Sequence, residues 1–334
     1  MSTPAARRRG PVRARRRAVA VGVGLVMALV ACSSGGSTKS AATAKDALSV
    51  EVASYDLAVG PPARFIAGLL TADQKLIGFG TVSMRFDFLG TDKASGAPTP
   101  VGAPATASFL PIPGTTTPSP PPADPVITSG TDRGVYGTQF GFDRPGFWQV
   151  EVTARVDGAQ RRGTGAFSVV DHHKIPAPGD AALATDNLTV TSPDVAKVAI
   201  DSRAGTDGDI PDPELHSTTI AAALAAKRPA VVVFATPVYC VSRFCGPVTD
   251  LVDDLAKANS DRASFIHVEI WRDFQSNTVN KAAADWLFRD NDLTEPWVFV
   301  IGADGRITAR FDNVTTAGEL EPLVKALPVI GPAA

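Results

Sequence analysis

The sequence predicts two folded regions behind an export leader: an all-β domain over 47–170 and an α/β domain over 187–330. Three observations carry this. Apolar and polar residues alternate strictly along several segments of the first region. A continuous apolar run, Ala230-Val231-Val232-Val233-Phe234, stands between helix-period segments in the second. The N-terminus combines seven arginines with an apolar stretch that ends at Cys32. A length of 334 residues suits two domains at roughly 100–200 residues each. With 44% hydrophobic residues the chain is too apolar to be disordered. A net charge of −2 provides no basic field for nucleic acid, and three cysteines are too few for a disulfide scaffold.

Residues 1–31 hold Arg7, Arg8, Arg9, Arg13, Arg15, Arg16 and Arg17 and no acidic residue, followed by 14 apolar or small residues from Ala18 to Ala31. A basic start, a short apolar stretch and a small-residue junction describe an export signal. The stretch falls short of the roughly 20 residues of a membrane-spanning helix. The junction Leu29-Val30-Ala31-Cys32 resembles a bacterial lipobox, which implies that Cys32 is lipidated and becomes the first residue after cleavage. Arg15-Arg16-Arg17 leaves a twin-arginine route open beside the general one. Without the leader, 25 basic residues face 34 acidic ones, a charge of about −9. Residues 32–46 are mostly small and polar and read as a flexible tether.

In the first domain Val82, Met84, Phe86 and Phe88 alternate with Ser83, Arg85 and Asp87, and Trp148, Val150, Val152, Ala154 and Val156 with Gln149, Glu151, Thr153 and Arg155. Period two means half-buried antiparallel strands. Further strands are expected near 48–59, 63–70, 135–142 and 162–170, and 135–156 reads as a hairpin turning at Asp143-Arg144-Pro145-Gly146. Six or seven short strands with Gly, Pro and Asp between them suggest an immunoglobulin-like sandwich. Residues 98–125 hold ten of the 27 prolines and are expected to form an extended insertion outside the sheet. Residues 171–186 read as a linker, in which His172-His173 is better explained as a solvated pair than as a metal patch.

In the second domain a helix is expected over 217–227 with Ser217 as N-cap, then the buried strand 230–234 and a loop carrying Cys240 and Cys245. Val248, Leu251, Val252 and Leu255 follow at helical spacing. A strand at 263–270, a helix near 277–289, strands at 297–301 and 306–311, and a final helix complete the order. Thr316 and Glu319 form a capping-box pattern for that last helix.

The segment VVVFATPVYCVSRFCGPV, the segment TEPWVFVIGADGRI and the strand–strand–helix ending resemble the thioredoxin superfamily over roughly 195–328. The expected architecture is therefore a thioredoxin-like α/β domain joined to an immunoglobulin-like sandwich. The resemblance implies that Pro296 is a cis-proline lying against a redox dithiol, with Glu295 beside it shaping the site. The family spacing is C-x-x-C, whereas here it is C-x-x-x-x-C. A second register aligns Phe244-Cys245-Gly246-Pro247 with the family's motif and puts Val248 in the second cysteine's place. The acid that the family buries beneath the dithiol is replaced by Val232 and Val233.

A disulfide needs Cα atoms about 4.4–6.8 Å apart, which residues i and i+5 of one ideal helix do not reach. If the two cysteines bond, Cys240 lies in the loop and Cys245 at the helix start, where Pro247 suits the first turn. A helix N-terminus or a nearby cation lowers a thiol pKa, and Arg243 between the cysteines is the candidate cation. Cys240 is assigned attack, Cys245 resolution, and Tyr239 a covering role. His267 on the 263–270 strand and His216 near a helix start read as structural and surface residues. Trp271, Trp286 and Trp297 read as core or dithiol cover.

The expected function is a membrane-anchored, extracytoplasmic thiol–disulfide oxidoreductase. Its partners would be exported protein thiols or disulfides and a further redox protein. The charge balance argues against nucleic acid, no metal site is expected, and no cofactor is expected because the sequence holds neither a P-loop nor a dinucleotide fingerprint. Three alternatives remain open: a lipid-anchored binding or adaptor protein with a structural disulfide, a thiol peroxidase, and a copper-binding chaperone.

Overall fold

The computed structural model describes residues 46–91, 97–130, 133–205 and 208–331. The leader, Cys32 and the tether up to residue 45 lie outside the described residues. The alternating segments become β1 (Leu48–Val52), β2 (Ala63–Thr71), β4 (Thr81–Gly90), β5 (Thr99–Pro111), β7 (Gly134–Phe140), β8 (Gly146–Val156) and β9 (Ala159–Val169). Two short strands, β3 (Ile77–Gly78) and β6 (Val126–Ile127), pair with each other. On β8 the predicted apolar positions Trp148, Val150, Val152, Ala154 and Val156 all point into the core, as period two requires.

These seven longer strands form a single antiparallel sheet in the order β1-β2-β7-β5-β4-β8-β9. Its outer strands curl toward each other, bridged at Ala47 and Arg162, so the sheet nearly closes into a barrel. Two glycines permit the approach. A Cβ at 163 would collide with the Leu48 carbonyl oxygen, and one at 165 would lie 2.9 Å from that of Val50. The interior is aromatic: Phe65, Phe86, Phe142 and Phe167 meet with ring centroids 4.9–6.3 Å apart.

Two local expectations fail for the same reason, that period two does not name a strand's partner. β7 and β8 are not a hairpin: β7 pairs with β2 and β5, and β8 with β4 and β9. The tight hairpin is β8–β9, turned by Asp157-Gly158 with positive φ at both residues. The proline-rich segment is not wholly outside the sheet, because its first half is β5. Pro100 pairs across to Asp87 of β4, while β7 joins β5 only from Ser108 onward. The early prolines therefore sit where one side of the strand is free, and their missing N–H groups leave no ladder bond unmade.

After three single-turn 3₁₀ segments, the C-terminal elements are α1 (Ile220–Ala225), β10 (Ala230–Ala235), α2 (Cys245–Asn259), β11 (Ser264–Glu269), β12 (Trp271–Asp273), β13 (Thr278–Val279), α3 (Lys281–Leu287), β14 (Trp297–Ile301), β15 (Ile307–Asp312) and α4 (Ala317–Ala326). The sheet order is β11-β10-β14-β15, with β10 parallel to β11 and antiparallel to β14. Val232 and Phe234 pack with α1 and α3 on one face, and Val231 and Val233 with α2 and α4 on the other, so β10 is buried throughout. The cap of α1 is Thr219, not Ser217. The Thr316–Glu319 capping box is present.

The expected architecture, a thioredoxin-like α/β domain joined to an immunoglobulin-like sandwich, is not what the chain forms. Strand dominates over helix, with only four α-helices among the described residues, and a nearly closed antiparallel sheet stands where two packed sheets were expected. The described residues belong to one compact unit. Residues 171–186 are not a free linker: Ala181 bridges Arg306, and the N–H of Gly179 donates to the Ile307 carbonyl, covering the outer edge of β15. Arg64 of β2 reaches Glu319 Oε1 (2.7 Å), Asp312 Oδ1 (3.3 Å) and the Val314 carbonyl (2.5 Å). Arg310 of β15 reaches Asp56 Oδ2 (2.9 Å) and the Ile175 carbonyl (2.8 Å). This seam of buried guanidinium groups joins the barrel to the C-terminal sheet.

Candidate dithiol site

β10 delivers the chain to a loop, 236–244, that lies over the N-terminus of α2. Cys240 is half-buried in that loop, and Cys245 is the first residue of α2 and fully buried. They form a disulfide with Cα atoms 6.0 Å apart. Pro247 falls in the first turn of α2, where its missing N–H has no intrahelical partner to lose. The Cys245 N–H points at Cys240 Sγ (3.3 Å), and Ser242 Oγ lies 3.2 Å from the same sulfur. An unpaired helix N–H and a hydroxyl directed at one sulfur are suited to stabilise a thiolate there.

Arg243, the sequence's candidate for that task, has an exposed side chain, a left-handed backbone (φ +63°) and no hydrogen bond or ion pair among the described residues. The backbone amide and Ser242 occupy the role expected of it. Ser242 went unnoticed because a serine two residues past a cysteine carries no signal until the loop folds back.

Tyr239 stacks face to face on Phe274 (4.0 Å between centroids), and Trp271 meets Phe274 edge-on. Val238, Val241 and Phe274 are exposed, Val241 by 93%, so an apolar rim borders the half-buried sulfur. Trp286 and Trp297 are core residues.

Opposite the loop, the Glu295–Pro296 peptide is cis and Pro296 is buried. A carboxylate oxygen of Glu295 and the two cysteine sulfurs all lie within 4.8 Å of one another. Burial, with the neighbouring carboxylates of Glu269 and Asp292, pushes the Glu295 carboxyl up to about 7. The barrel side also contributes here. Tyr55 OH donates to the Glu295 carbonyl (3.1 Å), its N–H donates to Asp312 Oδ2 (2.6 Å), and its ring lies 6.1 Å from that of Trp297. Sequence reasoning missed Tyr55, which stands 240 residues from its partner.

A second polar cluster braces the loop from behind. Asp201, His216 and His267 are fully buried, which corrects the surface reading of His216. Asp201 Oδ2 lies 3.3 Å from His216 Nε2 and 3.3 Å from His267 Nδ1, and it receives Arg203 at 2.7 Å. Burial opposes the charge on Asp201, yet hydrogen bonds from His216, His267 and Arg203 hold it well below the usual carboxylate range. Burial pushes His216 down. Three donors of this kind within 4.8 Å could meet a metal ion, but the Arg203 guanidinium already occupies the carboxylate. Ser202, next to Asp201, accepts at Oγ from the Val238 N–H of the loop (3.2 Å), and His267 Nε2 lies 3.2 Å from the carbonyl oxygen of Ala235 at the end of β10.

His172 is exposed, as a solvated pair would have it, whereas His173 is half-buried and held by the protein. Its Nδ1 accepts from Arg310 (2.7 Å) and lies 3.3 Å from Asp56. No helix among the described residues is long and apolar enough to cross a membrane. Comparison with known proteins finds no family model that matches the chain and no curated protein similar to it.

Proposed function

We propose that the chain carries out thiol–disulfide exchange with exported proteins, tethered by a lipid on Cys32 to the outer face of a membrane. The observation that carries this reading is the disulfide between a half-buried Cys240 and a fully buried Cys245 at the start of α2, with a helix N–H aimed at the outer sulfur. In the reduced protein the Cys240 thiolate attacks one sulfur of a substrate disulfide. A mixed disulfide forms and the other substrate sulfur leaves as a thiolate. Cys245 then attacks Cys240 Sγ, the bond to substrate breaks, and the second substrate sulfur leaves. Two electrons pass to the substrate, and a dithiol partner on the same side of the membrane restores them. The same steps in reverse oxidise a substrate dithiol. The apolar rim of Val238, Val241 and Phe274 suits contact with unfolded polypeptide.

The test is an equilibrium titration of the dithiol against glutathione and dithiothreitol buffers, with Cys240→Ser as the silent control. Exchange requires a potential less negative than about −300 mV. A value below that marks a structural bridge and overturns the reading in favour of a binding protein. With Cys245→Ser, an exchange protein accumulates unresolved mixed disulfides with its clients.

A further inference from the structure

Thiol–disulfide exchange needs more than two sulfurs. Cys245 is fully buried, and before it attacks Cys240 its thiol has to lose a proton to something. Behind it, β10 offers only apolar side chains, Val231, Val233 and Ala235. The His216–His267 cluster is engaged with Asp201 and with the main chain of Ala235. Arg243 points outward.

Resting on the dithiol reading above, we propose that Glu295 is the proton acceptor and donor of this dithiol, and that the barrel positions it through Tyr55. The argument is geometric. A carboxylate oxygen of Glu295 lies within 4.8 Å of both sulfurs, close enough for transfer directly or through one water. The carboxylate has no ion pair or hydrogen bond among the described residues, so no cation holds it permanently charged. Its main chain is fixed on two sides, by the Tyr55 hydroxyl on its carbonyl and by the Asn313 N–H on the Pro296 carbonyl (2.9 Å). The titratable groups around it are Glu269 at the end of β11, Asp292 on the preceding turn, Tyr55 from the barrel and the two cysteines. Burial, with the carboxylates of Glu269 and Asp292, favours the protonated carboxyl at neutral pH, and no basic group stands among these neighbours. A carboxyl that titrates near 7 gains and loses its proton at little cost under working conditions.

In the resolving step the Cys245 thiol transfers its proton to the Glu295 carboxylate. The sulfur's electron pair forms the bond to Cys240 Sγ, and the Cys240–substrate bond breaks with its pair on the departing sulfur. Glu295 then returns the proton to that thiolate or to water. Protons, electrons and bonds balance with no further reactant.

The experiment follows the full reduced chain mixed with 5,5′-dithiobis(2-nitrobenzoate), whose coloured thiolate is released once when Cys240 attacks and once more when Cys245 resolves. In the unaltered protein the second release should rise with pH along a titration curve centred near 7. Glu295→Gln should slow the second release about 100-fold at pH 7 and leave it climbing with hydroxide, while the first release changes less than about threefold. Glu295→Asp, checked beside it for fold by circular dichroism, should restore part of the rate with a displaced midpoint. Equal second-phase rates and pH profiles in both variants and the parent would overturn the role of Glu295 and leave the dithiol reading standing. No release from the parent would remove the dithiol reading itself.

Discussion

Two carboxylates near the join between barrel and C-terminal sheet have opposite surroundings. The Asp56 side chain is 5% exposed and sits at the seam. Burial opposes its charge, but the adjacent His173 ring, the Arg310 guanidinium and the Lys174 N–H together hold its carboxyl down at about 2. Glu295 stands at the dithiol mouth with no cation paired to it among the described residues, and burial with two neighbouring acids pushes it up to about 7. The seam uses charge in pairs, as a buried ionic joint must. The dithiol mouth leaves a carboxyl unpaired and therefore able to change its state near neutrality. An unpaired acid beside two sulfurs costs stability when ionised, which fits the proton-transfer role proposed for it.

The strongest way to break this contrast is to remove the seam's cation. Arg310→Met strands the Asp56 charge and the carbonyls of Ile175 and Asp56 that the guanidinium serves. It should cost about 3–5 kcal/mol in urea unfolding, the range for breaking a buried pair. A loss under 1 kcal/mol would show that the seam is not a joint.

A smaller effect separates the two acids by pH. The folded pKa of Asp56 lies below its unfolded value of 3.8, so its contribution is present above about pH 4 and is lost as pH falls toward 2. It amounts to about 2 kcal/mol. Asp56→Asn should flatten that acid limb. Glu295 has the opposite sign: its folded pKa lies above the unfolded 4.5, so stability declines as pH rises from about 4.5 through 7 and then levels. Glu295→Gln should remove this decline and stabilise the chain at pH 8. Urea midpoints of both variants between pH 2 and 9 check the two signs, and equal slopes would dissolve the comparison.

The smallest effect joins the two regions. Tyr55→Phe removes the hydroxyl on the Glu295 carbonyl but keeps the ring against Trp297. It should cost about 0.5–1.5 kcal/mol and shift the midpoint of the resolving step, a shift that a merely structural tyrosine would not produce.

Much of the local order was legible from residues alone. Alternation placed β2, β4, β8 and β9 closely. Thr316 and Glu319 announced the start of α4, and the reach of a disulfide required Cys240 in the loop and Cys245 at the helix start. The site was legible as two sulfurs and a proline, with Tyr239, Arg243 and Glu295 named beside them. It was not legible as Ser242, Tyr55 and a neutral-range Glu295, because their roles arise from groups brought together by folding.

What the sequence by itself determined, then, was which segments extend, which coil and where their ends lie. Those outcomes depend on side-chain spacing within a few residues. The tertiary structure alone decided which strand lies beside which, that a sheet with glycines at 163 and 165 curls nearly shut, and that half of a proline-rich stretch joins it. It also decided that His216 is buried against Asp201, and that among the described residues no cation pairs with Glu295 as Arg310 does with Asp56. Strand partners and the electrostatic surroundings of a carboxyl are set by residues up to 257 positions apart, and no local period encodes them.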